Sequence, residues 1–376
     1  MILPFEGIRV LDFSQGVAGP HCGMLFALYG ADVIKIEPPE GDWSRPLGTT
    51  IDGMSAIFVA YNQGKRSLVV DLLSDGGVSS AHDLVRSSDV VIENFRPGVT
   101  DRLGLGWTTL KEIQPRLIHV AVSGFGQSGP DRTRPATDSI LQAHAGMVTL
   151  NRGVDGLPHK VRFPAIDHVT GLYAFQAATM SLMTRERRGQ GQYLDISLLQ
   201  STIAFQGLKI LDHHVTGGNA PEDQYSPIGI YPTRDGSLAV TTIRQRQFRD
   251  LCDALGCPEL MTDPRFDKIG ERMRHVDELN ALLALKFAAR TTQDWSRRLT
   301  EKGIMSSPVR DYSELLDDEH VKSTALIHWI EQPGFADVPL ARVPGADVDW
   351  ALPAPALGEH SGEILAEIKS SPGGSA

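Results

Sequence analysis

The chain has 376 residues, of which 41% are hydrophobic and 22% are charged, and its formal net charge is −10. This is the composition of an ordinary globular protein, and the length suffices for about two domains. The negative net charge argues against a nucleic-acid partner, because an acidic surface repels a polyphosphate. A small anionic ligand in a locally basic pocket remains compatible with it.

Cysteine usage and hydropathy predict a cytoplasmic protein. The three cysteines form no paired Cys-x-x-Cys pattern, so we predict no metal site. An odd cysteine count without a secretory leader argues for a reducing compartment. The sequence also has no run of 18 consecutive apolar residues, the length that a membrane-spanning helix needs, so we predict no membrane association.

The first 125 residues alternate between short apolar runs and helical segments. Strands are predicted at residues 8–13, 32–37, 67–71, 89–92 and 117–123, and helices at 22–29 and near 78–85. Short apolar runs separated by helices are typical of a parallel sheet with helices on both faces. We predict an α/β fold with a large Rossmann-like domain beginning at residue 1 and reaching residue 200.

The pattern changes near residue 225. A hairpin with Asp235 and Gly236 in its turn is followed by predicted helices at residues 246–255, 272–289 and 292–302. These elements predict a smaller α+β domain at 225–320, with linkers at 200–225 and 320–330. After residue 325, a Pro-rich stretch predicts extended chain before a last helix at 361–368, and SSPGGSA at the end predicts a disordered tail.

The glycines of GFGQSG, Gly124–Gly129, fit the spacing of a dinucleotide-binding loop and follow a predicted strand. The next residues contain two prolines, where a helix N-terminus would have to meet the pyrophosphate. We therefore interpret the glycines as a tight turn beside a ligand and disfavour a nicotinamide site.

Asp167 stands at the start of an apolar segment that contains no further acid until Glu186. One interpretation is an N-cap for the helix predicted from His168 to about Arg188, since Asp is a preferred capping residue. A catalytic role is compatible with this position, because amide dipoles hold a carboxylate ionised and an ionised carboxylate is a nucleophile. The segment by itself leaves both interpretations open.

Several blocks of sequence carry a family resemblance that covers nearly the whole chain. They include IRVLDFSQGVAGP, NQGKRSLVVDL, VVIENFRPGVTDRLGLG, the segment around Asp167 and GEHSGEILAEI. Together they resemble the class III coenzyme A transferases of the CaiB/BaiF type, which are relatives of formyl-CoA and carnitine CoA-transferases and of alpha-methylacyl-CoA racemase.

The resemblance implies an acyl-CoA:carboxylate CoA-transferase with CoA as a substrate and no permanently bound cofactor. Asp167 would attack the acyl-CoA to form an aspartyl anhydride, which the trapped CoA thiolate converts to an aspartyl-CoA thioester. Backbone amides of the first βα loop would donate to the acyl oxygen, and Arg102 and Arg134 would pair with phosphates. The implied CoA-binding residues are Gln15, Gly16, Val17, Val70, Leu73, Asn94, Phe95, Val99, Arg102, Leu103 and Arg134.

Departures from the family pattern refine these expectations. Pro38 stands where some relatives have a phosphate-binding arginine, so we expect Arg45 or Lys65 to compensate. Val17 replaces a glutamine of the formyl branch, which argues against formate or oxalate as a substrate.

Further side chains are candidates for binding the substrate. Arg244 and Arg246 suit a second carboxylate, because guanidinium groups bind carboxylates with two hydrogen bonds. We therefore predict a dicarboxylate such as succinate as donor or acceptor. Asp138 is a further candidate substrate-binding residue.

Two alternatives remain open. A racemase needs an acid and a base on opposite sides of the α-carbon, but Thr137 stands where those relatives have histidine, and residues 243–246 contain no carboxylate. We expect His144 and His168 to be structural. The further alternative is a non-catalytic CoA-ester binder, against which the presence of Asp167 argues.

The resemblance also implies an obligate homodimer of interlocked chains. Chains of this family thread through one another, and the Pro-rich return after residue 325 fits a chain that crosses to the small domain and comes back. We therefore expect a discontinuous large domain, made of residues 1–200 and 325–376.

Overall fold

The computed structural model describes residues 3–51, 53–153, 155–219, 224–345 and 352–370. The chain divides into two compact units, of which the first comprises Met1–Ile210 with Ala325–Ala376 and the second comprises Leu211–Thr324. No helix among the described residues combines the length and hydropathy that a bilayer span requires.

Eight strands lie in the amino-terminal part of the first unit. They are β1 (Arg9–Asp12), β2 (Asp32–Glu37), β3 (Thr50–Ile51), β4 (Met54–Ser55), β5 (Arg66–Val69), β6 (Val90–Glu93), β7 (Ile118–Ser123) and β8 (Gln192–Ser197). Six form one parallel sheet in the order β5-β2-β1-β6-β7-β8, while β3 and β4 make a separate two-stranded pair. The predicted parallel sheet of an α/β fold is confirmed.

Among the described residues, nine helices accompany these strands. They are α1 (Ala18–Leu28), α2 (Ala56–Asn62), α3 (Asp75–Arg86), α4 (Val99–Arg102), α5 (Trp107–Ile113), α6 (Asp138–His144), α7 (Ala165–Arg188), α8 (Leu198–Phe205) and α9 (Gly207–Val215). A 3₁₀ turn spans Met147–Leu150. Helices α1 and α7 contribute to the apolar core on one side of the sheet, and α3 and α5 to the core on the other.

Helices α1 and α7 pack closely because small residues line their contact. A Cβ atom at Gly171 would lie 2.8 Å from the carbonyl oxygen of Ala18 and 2.7 Å from Nδ1 of His21. Real side chains do not approach so closely, so this helix pair requires glycine at position 171. The contact fixes the first turn of α7, where Asp167 lies, against α1.

The second unit combines a three-stranded antiparallel sheet with helices. Strands β9 (Ile228–Pro232) and β10 (Ser237–Thr241) form the predicted hairpin, and β11 (Met305–Pro308) pairs with β10. The helices are α10 (Gln245–Leu255), α11 (Ile269–Arg274), α12 (Val276–Phe287), α13 (Thr292–Glu301), α14 (Tyr312–Asp317) and α15 (Glu319–Ser323), with a 3₁₀ turn at Pro258–Met261. This unit has its own core, which includes Phe248, Phe287 and Trp295.

The returning carboxyl-terminal segment belongs to the first unit. Strands β12 (Ile327–Glu331) and β13 (Asp337–Ala341) form an antiparallel hairpin, and α16 spans Ser361–Ser370. Strand β13 and helix α16 agree with the prediction of an extended Pro-rich stretch before a last helix, and pairing with β12 satisfies the backbone groups of β13 locally. Residues 346–351 of the Pro-rich stretch and 371–376 of the predicted tail lie outside the described residues.

The two predicted linkers also contain regular structure. Helices α8 and α9 occupy most of 200–219, with α8 capped by the Ser197 hydroxyl accepting from Gln200 N–H. Helix α15 and strand β12 occupy 320–330, and α15 is capped by Asp318. Side-chain caps of this kind stabilise helices too short to be evident from periodicity.

Candidate active site

The sheet order creates a crevice between β1 and β6. The chain leaves β1 toward β2 on one side, and β6 leads to β7 on the other, so the loops after these two neighbouring strands diverge. In open α/β sheets such a switch point is the usual ligand-binding position. Two hydrogen bonds join the loops here, from Gln15 N–H to Asn94 Oδ1 at 2.9 Å and from Asn94 Nδ2 to the Gln15 carbonyl at 2.7 Å.

A cavity of about 510 Å³ opens beside this crevice. Apolar side chains dominate its wall, and Leu73 is 89% exposed in the absence of a ligand. The residues that line it include Phe13, Gln15, Ile36, Pro38, Val70, Leu73, Phe95, Val99 and Leu103. The structure thus brings together six of the residues predicted from the resemblance around a space suited to a flat apolar group.

A second cavity, of about 330 Å³, lies over the ends of β6 and β7. Asn94 and Phe95 line it together with three arginines, Arg96, Arg132 and Arg134. Arg134 also stacks over the Phe125 ring, 5.3 Å from its centroid. The arginines make this cavity cationic and suited to an anionic group.

Arg102 lies at the end of α4 with an exposed side chain. Arg45 and Lys65, expected to compensate for Pro38, are instead buried and paired within the protein. The Arg45 guanidinium holds Glu37 through two 2.7 Å bonds, and Lys65 Nζ lies 2.7 Å from Asp12 Oδ2. That expectation was wrong, because buried charges require these internal partners.

Asp167 is not the N-cap of α7. The capping position is Pro164, and Asp167 is the third residue of the first turn. The cap is supplied by Asp138, whose Oδ2 accepts from Ile166 N–H at 2.7 Å and from Asp167 N–H at 3.2 Å. The capping interpretation of Asp167 is corrected, because a carboxylate remote in sequence already occupies the helix N-terminus.

The Asp138 carboxylate accepts its hydrogen bonds from groups within the protein. Its other oxygen, Oδ1, accepts from Gln142 Nε2 at 2.6 Å, and the side chain is buried. Both carboxylate oxygens of Asp138, a candidate substrate-binding residue on the sequence, accept hydrogen bonds within the protein. These bonds fix the backbone that carries Asp167.

The pKa of the Asp167 carboxyl is high for an aspartate. Burial, together with the nearby negative charge of Asp138, raises the pKa of Asp167 to about 7. The sequence expectation of a fully ionised carboxylate at pH 7 is therefore corrected, since desolvation outweighs the dipoles of the helix N-terminus. A carboxylate with this pKa is a better nucleophile than an ordinary aspartate while still ionising near neutral pH.

Two rings missed by sequence reasoning, those of His21 and Tyr61, lie next to this turn together with the His168 ring. The His21 and His168 rings stack with centroids 3.9 Å apart, and the Tyr61 ring meets His21 edge-on at 5.6 Å. His21 Nδ1 lies 3.0 Å from the His168 carbonyl and donates to it, because a carbonyl oxygen only accepts. Burial lowers the pKa of His21 to about 3, so that ring is neutral at pH 7, as expected of structural histidines.

The first βα loop has only part of its predicted donor capacity available. Gln15 N–H is bonded to Asn94, and Gly16 N–H donates to Asp42 Oδ1 at 3.2 Å. Gly16 has a φ of +83°, and the Trp43 indole occupies the place that a Cβ there would fill, so only glycine fits. Val17 N–H donates to no acceptor among the described residues.

Arg244 and Arg246 lie at the start of α10 in the second unit. Arg244 is the N-cap residue, and its N–H donates to Gln247 Oε1 at 2.9 Å. The Arg246 side chain is 91% exposed and lies 3.7 Å from Asp250. Both guanidinium groups therefore belong to one solvent-facing helix start.

Comparison with known proteins gives concordant matches. The model of CoA-transferase family III matches residues 5–361. Succinyl-CoA–D-citramalate CoA-transferase of Chloroflexus aurantiacus is 34% identical, over 97% of this chain and 94% of the relative. Acetyl-CoA:oxalate CoA-transferase of Acetobacter aceti is 33% identical, over 97% of this chain and 96% of the relative.

A solved structure agrees with these matches. The crystal structure of a CAIB/BAIF family protein from Brucella suis superimposes with a TM-score of 0.87 at 31% identity. The match covers 98% of this chain and all of that one. The likeness therefore extends over both units, each of which has its counterpart in the solved chain.

Proposed function

Because the chain belongs to CoA-transferase family III, it is an enzyme that transfers coenzyme A between acids, and we propose that Asp167 is its nucleophile. The observation that carries this proposal is a carboxyl with a pKa of about 7, held in the first turn of α7 by the Asp138 cap. It stands where the resemblance places the acyl-accepting aspartate.

The proposed reaction passes through two kinds of covalent intermediate, a mixed anhydride and an aspartyl-CoA thioester. The Asp167 carboxylate attacks the acyl-CoA carbonyl, the C–S bond breaks, and a mixed anhydride and CoA thiolate form. The thiolate then attacks the Asp167 carbonyl carbon, which releases the donor acid and leaves an aspartyl-CoA thioester. An acceptor carboxylate attacks that thioester, and the two steps run in reverse to give the new acyl-CoA and free Asp167.

The surroundings of Asp167 fit these steps. Burial destabilises the negative charge on the carboxylate, and attack on the thioester disperses that charge toward sulfur. The Val17 N–H is the proposed donor to the developing oxyanion. The apolar cavity with Val70 and Leu73 is the proposed adenine site, and the cationic cavity with Arg134 is the proposed anion site.

We infer that one of the exchanged acids is a dicarboxylate. Of the four compounds for which the two relatives described above are named, succinyl-CoA, citramalate and oxalate carry two carboxylates or derive from an acid that does. The fourth, acetyl-CoA, derives from a monocarboxylic acid. Arg244 and Arg246 are the proposed partners of the second carboxylate. Oxalate, disfavoured on the sequence, belongs among the acids to test because one relative is named for it.

We further propose an obligate, interlocked homodimer that works in the cytoplasm. Large apolar side chains are exposed on neighbouring segments of the first unit, including 67% of Met183 on α7 and 54% of Phe205 on α8. Helix α9 begins at Gly207, two residues after the last residue of α8, and it buries none of its own side chains and exposes Leu208. A short helix with no buried face gains its stability from a partner. A stable monomer in analytical ultracentrifugation would contradict this part.

The proposed nucleophile is tested by trapping the acyl-enzyme. Wild-type protein is mixed with succinyl-CoA and hydroxylamine and then digested, and we expect a hydroxamate on Asp167 by mass spectrometry. Asp167→Ala should lose both the hydroxamate and acid exchange, by at least about 1,000-fold. Asp195→Asn, which alters another carboxylate of the first unit, is the matched control and should retain both.

The alternatives give different results in the same preparation. A racemase would exchange the α-proton of 2-methylacyl-CoA with deuterated solvent without forming a hydroxamate, and a non-catalytic binder would do neither. Retention of acid exchange by Asp167→Ala would overturn the proposed mechanism. A screen of free mono- and dicarboxylic acids against a fixed CoA donor identifies the acceptor.

A further inference from the structure

Four buried charges lie beneath the loop that follows β1. Asp12 Oδ2 lies 2.7 Å from Lys65 Nζ, and Lys35 Nζ lies 2.8 Å from Asp42 Oδ2. All four side chains are fully buried, with exposed fractions of 0%. We refer to Asp12, Lys35, Asp42 and Lys65 as the buried ion-pair network.

The buried ion-pair network binds both backbone polar groups of Ser14, at the beginning of the loop. Asp12 Oδ1 accepts from Ser14 N–H at 3.0 Å and from the Ser14 hydroxyl. Lys35 Nζ donates to the Ser14 carbonyl at 2.7 Å. Both the N–H and the carbonyl of Ser14 are therefore fixed by charged partners, which form stronger hydrogen bonds than neutral ones.

Asp42 and Lys65, the other two members of the network, bind backbone groups further along the chain. Asp42 accepts from Gly16 N–H, and Lys65 Nζ donates to the Pro20 carbonyl at 2.8 Å in the first turn of α1. Lys65 donates its remaining bond to Asn62 Oδ1 at 2.8 Å, so all three ammonium protons are used. From Ser14 to Pro20, the backbone is thus held at four points by buried charge.

Stability does not account for this arrangement. Burying an ion costs several kcal/mol, and apolar residues of similar volume can often replace a buried pair without loss of stability. Burial lowers the pKa of Lys65 to about 8 despite the attraction of Asp12, which shows that desolvation opposes the cation. Each pair contains one positive and one negative side chain, so the network carries no net charge. It therefore also adds little long-range electrostatic field.

We propose that the buried ion-pair network positions the Ser14–Val17 loop for acyl transfer, so that its four members are positioning residues of the active site. The argument for acyl transfer rests on the proposed function, whereas the argument for loop position rests on the contacts alone. The network fixes the Gly16 N–H and the Pro20 carbonyl on either side of Val17, whose N–H is the proposed oxyanion donor. A displacement of about 1 Å there is expected to cost on the order of 100-fold in rate.

The first experiment measures the loop without using the reaction. Asp12→Asn combined with Lys65→Met removes one pair, while the asparagine oxygen can still accept from Ser14 N–H. Hydrogen exchange followed by mass spectrometry should show at least tenfold faster exchange in the peptide covering residues 13–18. The matched control removes an exposed pair of the same types, Asp317→Asn with Lys322→Gln, and should leave that exchange unchanged.

The second experiment measures the reaction. The Asp12→Asn/Lys65→Met protein should lose at least tenfold in kcat with succinyl-CoA, while its KM stays close to that of the wild type. Its melting temperature should fall, because the Pro20 carbonyl and Asn62 Oδ1 lose their donor, and a purely structural role would stop at that fall without separating kcat from KM. Lys65→Arg, which keeps a cation at this position, should recover part of the lost kcat.

The pH profile supplies an independent readout. Lys65 is faced by Asp12 of β1, Lys35 of β2, Asp42 of the following loop and His21 of α1. As the pH rises through about 8, Lys65 loses its proton and Asp12 loses its partner, so kcat should fall on the alkaline side. Lys65→Arg should move that fall to higher pH, because arginine stays protonated.

The outcomes separate this inference from the proposed function. Unchanged loop exchange in Asp12→Asn/Lys65→Met would overturn the inference, as would failure of both that protein and Lys65→Arg to fold, since the network would then be structural. Faster exchange with unchanged kcat would overturn its link to acyl transfer. Absence of the Asp167 hydroxamate in the wild type would overturn the proposed function while leaving the loop measurement interpretable.

Discussion

The two units of the chain differ in how many buried charged side chains they contain and in where these side chains lie. In the first unit, buried ionic side chains collect around the ends of the central strands, as Asp12, Glu37 and Glu93 show. Among the described residues of the second unit, Arg272 is the one buried charged side chain. It donates to the carbonyls of Ser226 and Phe266, both at 2.8 Å.

This difference distinguishes two uses of a buried charge. Arg272 connects loops of its own unit through hydrogen bonds to their carbonyls. It has no ionic partner among the described residues, so it serves as a hydrogen-bond donor within an apolar core. The first unit instead concentrates costly charges where the proposed chemistry takes place, including a carboxyl with a pKa of about 7 at Asp167. Clusters of desolvated ionisable groups are typical of functional sites.

Replacing Arg272 is expected to have the largest effect on stability. Arg272→Ala should lower the free energy of unfolding by about 3 kcal/mol, because it leaves buried carbonyls unpaired and removes packing against Phe248. Urea unfolding measures this change, and Arg274→Ala on the exposed side of α11 should cost under about 0.5 kcal/mol. If the folded variant lost kcat 100-fold, the comparison between the units would fail.

Replacing Asp138 is expected to act mainly on rate. Asp138→Ala should reduce kcat about 100-fold, because the first turn of α7 loses its cap and Asp167 loses its fixed backbone. Steady-state kinetics measure the loss, with Asp317→Ala, an exposed carboxylate of the second unit, as the control. A wild-type kcat in Asp138→Ala would show that the cap does not position the nucleophile.

The raised pKa of Asp167 predicts how stability depends on pH. The folded state binds this proton more tightly than the unfolded state, so ionisation destabilises the fold as the pH rises from about 4 through about 7. Asp167→Asn should therefore match the wild type near pH 4 and exceed its unfolding free energy by roughly 2 kcal/mol at pH 8. Urea titrations at both values test this, and a difference independent of pH would contradict it.

The smallest expected effect concerns the apolar cavity. Leu73→Ala should weaken CoA binding about fivefold, because roughly 1 kcal/mol of apolar contact with the adenine is lost. Isothermal titration with CoA measures it, and Leu285→Ala, which alters a leucine of the second unit that is 74% exposed, is the control. Equal affinities for Leu73→Ala and wild type would place the adenine elsewhere.

Local pattern predicts much of this fold. The predicted strands of the large sheet end within two residues of the observed ones, because these strands are mostly buried and rich in apolar side chains. The hairpin at Asp235 and Gly236 is likewise a local turn signal. The short helices in 200–219 are missed, since side-chain caps and distant packing determine them more than periodicity does.

The candidate site is predictable only in part. The resemblance points to Asp167 and to the residues lining the apolar cavity, such as Val70 and Phe95. It does not reveal that Arg45 and Lys65 are consumed by internal ion pairs, because nothing in a single sequence shows which charges become buried. The stacked pair of His21 and His168 is equally invisible, since 147 residues separate its members.

The sequence by itself determined the alternation of strands and helices, the family, and the identity of the carboxylate at the mouth of α7. Only the tertiary structure decided which carboxylate caps that helix and how basic its neighbour becomes. Local propensities depend on residues close in sequence, whereas desolvation and long-range hydrogen bonds depend on what the fold brings alongside. Asp138 reaches Asp167 across 29 residues of chain, and that contact exists only once the helices have packed.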